Sequence, residues 1–397
     1  MPAFGRAFLS EFPLDPSITY LNHGTVGVTP SRVLAAQQAI RDEIERQPSR
    51  FLLRELHAPA TSVGCPREET PRLRVAAGQV GAFLGAQADD LVFVDNITTG
   101  ANAVLRSFPF EPGDELLITD LGYGGIAAVA RFATREKGAH VTTATMPWPF
   151  TPEGIADAIV EAAGPRTRLA VVDHIAADSA LVLPVADIVA RLHDKGVAVM
   201  VDGAHAPGAI AVDIAAIGAD WYVANLHKWM WVPRSSGILW AAPERQASLH
   251  PAVISWGLDL GFTTTFDLPG TRDPSAHLAA PAAIALFEEL GTEAVRAYNH
   301  DLAWQAAHHV SERWGTAFTT PESMIGTMAT VTLPASLGTT RDDALRLRDA
   351  LLLEDGIEIP VHAYRGQLRA RISAQVYNDM DDMERLADAI LKRAAVR

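Results

Sequence analysis

A chain of 397 residues, 48% hydrophobic and 20% charged, carries enough apolar surface for about two domains, each with an ample core. Its 33 basic against 47 acidic residues give a formal charge of −14, which argues against nucleic acid or an anionic membrane as a partner and leaves room for a small anion held by local donors. Cys65 is the single cysteine, which excludes an internal disulfide or a thiolate metal cluster; the opening MPAFGRAFLSEF has no apolar signal core and no run is long enough to span a bilayer, so a cytoplasmic protein is expected.

Residues 1–20 read as an extended lead-in, since Pro13 and Pro16 forbid a long helix. The glycine-rich turn Tyr20-Leu21-Asn22-His23-Gly24-Thr25-Val26-Gly27 follows, then a helix over 31–46 with Val33, Ile40 and Ile44 along one side. A helix over 73–84 and a strand over 90–95 come next. The turn Asn96–Asn102 leads into a helix over 103–107. Thr98 and Thr99 there are either an ordinary N-cap or hydroxyl donors at an anion site, because free N–H groups and the helix dipole favour negative charge. A strand over 115–119 is followed by a turn carrying Tyr123, which is flanked by glycines and reads as a packing tyrosine or as a ring lying over a flat ligand. Then follow helix 126–137, strand 140–145, helix 152–163, strand 168–173 with His174 at its end, and helix 185–195. His174 reads equally as a structural or a catalytic histidine.

The apolar run 197–201 predicts a buried strand ending at Asp202. Gly203, Ala204, His205, Ala206, Pro207 and Gly208 follow, small residues that let the backbone lie close to something flat. A second strand over 220–224 runs into Asn225-Leu226-His227-Lys228. Two strand ends thus present an acid, a histidine and a lysine on one edge of a sheet, where open α/β sheets bind ligands. A lysine amine forms a Schiff base with an aldehyde, and pyridoxal phosphate is the aldehyde cofactor that needs an acid beside its ring nitrogen. On these residues alone, Asp202 as a strand-end cap and Lys228 as a solvated side chain stay open. The unbroken strand–helix alternation over about 90–240 predicts a mostly parallel sheet with helices on both faces. The Gly-x-Gly-x-x-Gly fingerprint and the phosphate-loop lysine of nucleotide-binding alternatives are missing.

Further on, 281–313 reads as a long helix broken near Gly291. Strands over 328–334, 357–361 and 367–373, with helices over 341–354 and 379–396, complete a smaller α+β part. Arg369 and Arg371 share one face of the last strand because side chains alternate, and Arg369 reads as an ordinary exposed charge.

In order and spacing, NHGTVG (22–27), NITTGAN (96–102), DGAHAPG (202–208), NLHKW (225–229), PGTRDPSA (269–276) and RIS (371–373) resemble the class V aminotransferase family of fold-type I pyridoxal-phosphate enzymes, most closely its isopenicillin N epimerase-like branch. The resemblance implies an α/β fold in three parts. These are a lead-in, 1–20, packing on the small domain; a large cofactor-binding domain, 21–275, with a mostly parallel sheet flanked by helices; and a smaller α+β C-terminal domain, 276–397. It implies pyridoxal 5′-phosphate held by Thr98, Thr99, Tyr123, Asp202, His205, Asn225, His227, Lys228 and Thr271, with Lys228, Asp202 and His205 catalytic, and it implies no metal. Asn22, His23 and Arg371 would meet the amino-acid substrate, Arg371 by gripping a carboxylate with two hydrogen bonds. Thr271 would reach the phosphate bound in the partner subunit, and the Arg50–Phe51 loop would reach the partner's site, so a homodimer with shared active sites is implied. Ala177 departs from the asparagine that cysteine desulfurases carry, which shifts hydrogen bonding near the cofactor's phenolic oxygen to His205 or to Asp173 and His174.

The scaffold hosts several reactions. Desulfurase chemistry needs a cysteine on a loop near the small domain, and Cys65 lies far upstream. The branch implies epimerase or racemase chemistry at Cα. Transamination and C–S or β-elimination begin with the same loss of the Cα proton and stand as alternatives. A non-catalytic scaffold is disfavoured, because Asp202 and Lys228 are both present.

Overall fold

Seven apolar segments hydrogen-bond into the central sheet of the computed structural model, which describes residues 4–57 and 70–395. Cys65 lies outside the described residues. After a short lead-in strand, β1 (Thr19–Tyr20), the sheet takes β2 (Leu91–Val94), β3 (Glu115–Thr119), β4 (His140–Ala144), β5 (Thr167–Asp173), β6 (Ala198–Asp202), β7 (Trp221–Asn225) and β8 (Gly237–Ala241). Their order is β2-β8-β7-β6-β5-β3-β4, and only β8 runs antiparallel to its neighbours. β6 and β7 are buried along their whole length, as a sheet covered on both faces requires. Alternation divides β6 between two cores: Val199 and Val201 join the cluster on one face, Ala198 and Met200 the cluster on the other.

A second unit has its own apolar core and a three-stranded antiparallel sheet, β11-β12-β9: β9 is Met328–Thr332, β11 Val361–Tyr364 and β12 Gln367–Ser373. The helices Thr292–Trp314, Arg341–Asp355 and Met380–Ala395 supply its remaining apolar faces. β10 (Ile357–Glu358) leaves this unit to pair in parallel with β1. The lead-in is tied down further by Gly5 N–H donating to Val376 O (2.8 Å) and by the Arg6–Asp382 ion pair (2.8 Å).

Three departures from the sequence pattern have identifiable causes. The helix expected at 103 begins at Ile97, because Asn96 accepts from Thr99 N–H (3.0 Å) and caps it. The expected strand 357–361 splits at Pro360, which lacks an N–H for a ladder. Phe51 is a core residue beneath the Arg72 guanidinium (4.4 Å), whereas Arg50 is exposed. The break near Gly291 falls where it was expected, at a φ of 85°.

Candidate active site

The carboxyl ends of β5, β6 and β7 carry the ionisable groups that face one another. Asp173 and Asp202 are opposed across the β5–β6 ladder, and both are buried. Asp202 accepts from Ala204 N–H (2.9 Å) and Asp173 from the Thr119 hydroxyl (3.3 Å). Burial, then the charge of Asp202, pushes Asp173 up to about 8. Burial raises Asp202 as well, while the Ala204 hydrogen bond and Lys228 draw it down. Two carboxylates so placed titrate as a pair, and the sequence reading gave Asp173 only a secondary part. The signal was there: VVDH and VMVDG are two apolar runs that each end in an aspartate.

Lys228 follows β7, and its Nζ lies 3.0 Å from His205 Nε2. Desolvation, then the nearby Arg371 guanidinium, lowers its pKa to about 7, so the neutral amine needed to attack an aldehyde is available near neutrality. His205 is held well below its usual range by burial and then by Lys228. Its Nδ1 is buried without a hydrogen-bond partner among the described residues.

Glycines let neighbouring loops press on this segment. A Cβ on Gly27 would lie 1.9 Å from His227 O, and one on Gly208 would lie 2.3 Å from Trp229 O. The NHGTVG turn therefore packs directly on the backbone that carries the lysine. His23 explains why: its Nδ1 pairs with the Tyr377 hydroxyl (2.9 Å) and its Nε2 with Lys228 O (3.1 Å), and its ring tilts against Trp229. Read from sequence as a substrate contact, His23 has both ring nitrogens engaged by the protein and acts as a clamp on the lysine loop.

Asn22 donates from Nδ2 to Glu358 (2.7 Å) and turns its oxygen toward Thr25 and Arg371. Arg371 reaches in from β12 and donates to Ala177 O and to Thr25 Oγ1 (2.7 Å). Burial lowers its pKa to about 10, and it has no carboxylate within ion-pair distance among the described residues. Thr25, unremarked in the sequence, thus orients the arginine.

Asn225 Oδ1 accepts from Ile97 N–H (2.9 Å) and so fastens the N-terminus of the Ile97–Ser107 helix to the strand that leads to Lys228. Thr98 and Thr99 stand partly exposed in the first turn of that helix. Tyr123, half exposed, shares a small cavity with Asp202, Asp173 and Thr119. His227 hydrogen-bonds through Nδ1 to Ser236 O (2.8 Å), and burial lowers its pKa to about 4. Thr271 stands apart from these groups, at the rim of a surface groove with Trp256 and Leu53. Among the described residues no His/Cys/Asp/Glu cluster suited to a metal is present.

An amine of lowered pKa, an acid at the adjoining strand end, an unpaired buried imidazole nitrogen and a helix N-terminus with two hydroxyls fit the aldehyde, ring and phosphate of pyridoxal 5′-phosphate. Fold and site together define a pyridoxal-phosphate enzyme of the α/β type. The chain belongs to the aminotransferase class-V family, whose model matches residues 63–386. It is 33% identical to a probable chloroplastic L-cysteine desulfhydrase of Arabidopsis thaliana, over 95% of this chain and 83% of that protein. It is 32% identical to the isopenicillin N epimerase of Streptomyces clavuligerus, over 95% of each chain. Among solved structures, the cysteine desulfurase CsdA of Escherichia coli superposes with a TM-score of 0.77 at 19% identity, covering both chains fully. A cystine C–S lyase, C-DES, in complex with cysteine persulfide gives a TM-score of 0.74 at 20% identity, over 95% of this chain and 97% of that one. No described helix is long and apolar enough to cross a membrane.

Proposed function

We propose that the protein removes the Cα proton of an amino acid and returns it on the other face, as an epimerase or racemase. The contact of 3.0 Å between Lys228 Nζ and His205 Nε2 carries this reading: an amine that can take up a proton near neutrality meets a neutral imidazole from the neighbouring strand end. Bound pyridoxal phosphate supplies the electron sink that makes the Cα–H acidic. Lys228 takes the proton, its amine tuned to about 7 by desolvation and Arg371. His205, kept neutral by burial, accepts a hydrogen bond from that amine at Nε2 and orients it. Asp202 holds a negative charge beside the ring nitrogen, and Thr98, Thr99 and the helix N-terminus receive the phosphate. Arg371 grips the substrate α-carboxylate, for which its neutral partners Ala177 O and Thr25 leave its charge uncompensated.

A second reading, elimination of a β-substituent, is favoured by the similarity to the L-cysteine desulfhydrase and uses the same first step. An amino-acid panel in deuterated water separates the two. Deuterium at Cα with both hands present supports epimerisation. Pyruvate and a free thiol without inversion overturns it in favour of elimination, and a keto acid retaining the side chain points to transamination.

We further propose a homodimer with shared sites. An apolar groove of about 440 Å³ runs between the 52–56 segment and the 267–272 loop, and Trp256 beside it is 80% exposed, a large apolar residue that a second copy would cover. In that dimer Thr271, at the same rim, would act on the partner's phosphate. Mixing Lys228→Ala with Thr271→Asp should return about a quarter of wild-type activity, since one of the two sites in a mixed dimer carries neither defect. No recovery after complete subunit exchange overturns the shared site.

A further inference from the structure

Arg369, expected to be an exposed strand charge, is only 7% exposed. Its guanidinium is flanked by two rings, with Cζ 4.8 Å from the centroids of both Trp148 and Tyr364. Stacking of this kind leaves the N–H edge free. Among the described residues it has no hydrogen-bond or ion-pair partner, and its Nε is buried and unpaired. It lines a cavity of about 70 Å³ together with Asp120, Gly122, Ser179, Thr330 and His362. That space is enough for several waters or for a terminal polar group.

The charges around this cavity are unequally matched. Asp120 faces Arg365 at 3.8 Å, and Asp178 faces His362 at 3.6 Å. Asp120 thus has a cation already, whereas burial lowers the pKa of His362 and the charge of Asp178 acts on Arg371 from beyond ion-pair distance; Arg369 has no carboxylate within ion-pair distance among the described residues. A buried guanidinium without a counter-charge is costly unless something anionic completes it. The cavity also adjoins the site described above. Thr330 is the ladder partner of Arg371 and donates to Asp178 O (2.8 Å), and Gly122 lines both this cavity and the one holding Asp202 and Tyr123. Arg369 and Arg371 sit on one face of β12, two residues and so roughly 7 Å apart.

We propose that Arg369 forms a second anion subsite, and that the substrate is an amino acid whose side chain ends in a carboxylate. Its α-carboxylate lies on Arg371 and its distal carboxylate on Arg369, with the stacked rings of Trp148 and Tyr364 holding the second guanidinium in place. The proposal rests on Lys228 carrying the cofactor and Arg371 taking the α-carboxylate. It extends that reading from any amino acid to the dicarboxylic ones, and the spacing suits a chain of glutamate or 2-aminoadipate length.

The test compares each acid with its side-chain amide: L-glutamate with L-glutamine, and L-2-aminoadipate with its δ-amide. Apparent Kd is read from the substrate-induced change in the visible spectrum of the cofactor-loaded protein. Wild type should prefer at least one of the acids over its amide by tenfold or more, as a charge-assisted pair implies. Arg369→Gln should bring that ratio to about one, and Arg369→Lys should retain part of it. Arg371→Gln should weaken acid and amide alike. Equal binding of acid and amide by wild type overturns the subsite while leaving Lys228 and Arg371 in their roles, and so does an Arg369→Gln protein that keeps the preference. A loaded protein whose spectrum answers no amino acid overturns the parent reading, and the subsite with it.

Discussion

Asp173 and Asp202 stand opposite each other on neighbouring parallel strands, which lie roughly 4.8 Å apart. At an effective dielectric of about 20, two full charges at that separation repel by roughly 3.5 kcal/mol. Burial adds to this, and Asp173 is pushed up to about 8 from an ordinary value of 3.8. Because the folded pKa is above the unfolded one, folding takes up a proton. The stability so gained is fully present below about pH 4 and is lost as the pH rises to about 8, at about 1.4 kcal/mol per unit. Asp173→Asn preserves the shape and deletes this titration. Urea unfolding of both proteins, stripped of pyridoxal phosphate, should therefore show the variant gaining about 2 kcal/mol on wild type between pH 6 and pH 8, the slope flattening as pH 8 is approached. A variant-minus-wild-type difference that stays flat across the interval would refute a protonated Asp173.

The rate at which pyridoxal phosphate attaches to the stripped protein, followed by visible absorbance, should rise through a midpoint near pH 7, where the Lys228 amine becomes neutral. Lys228→Ala should lose the borohydride-fixed label, and a label on another lysine would move the assignment. Arg371→Gln should weaken amino-acid binding tenfold or more while cofactor content is unchanged, measured by spectral titration. His23 is held neutral by burial with its pKa lowered to about 3, so its stabilisation is complete above about pH 6.5 and is lost as the pH falls. His23→Gln should gain on wild type by about 1.4 kcal/mol per unit between pH 6 and pH 4 in urea unfolding; a flat difference would mean that His23 is charged when folded.

The strand ends were legible because β6 and β7 are covered on both faces and so read as unbroken apolar runs, which leaves the first polar residue after each to declare itself. Asp202 follows from that rule, and so does Asn225, three residues before Lys228. Arg369 was misread for a reason no local pattern could cure. Its burial depends on Trp148, which arrives from a proline-rich loop more than two hundred residues upstream. His23 misled differently: a polar residue in a glycine-rich turn reads as a ligand contact, and only the meeting with Tyr377 and Lys228 O gives it a structural task. Thr98 and Thr99 were read in the turn before a helix at 103 and instead lie within its first turn. That the helix begins at Ile97 depends on Asn96 and on Asn225, from a distant strand.

The parallel pairing of β1 with β10 and the bond from Arg6 to Asp382 set a timetable for synthesis. The two ends of that bond are 376 residues apart. At about 5–20 residues per second, roughly 20 to 75 s pass between the appearance of residue 6 and that of residue 382. For most of that interval β1 has no strand to pair with and Arg6 no carboxylate, so the lead-in is held only by such contacts as that of Phe12 with Trp231. The central sheet can order its strands as they emerge. The full clamp of His23 on the lysine loop, which pairs Nδ1 with Tyr377, closes only after residue 377 has emerged, late relative to the strands of the central sheet.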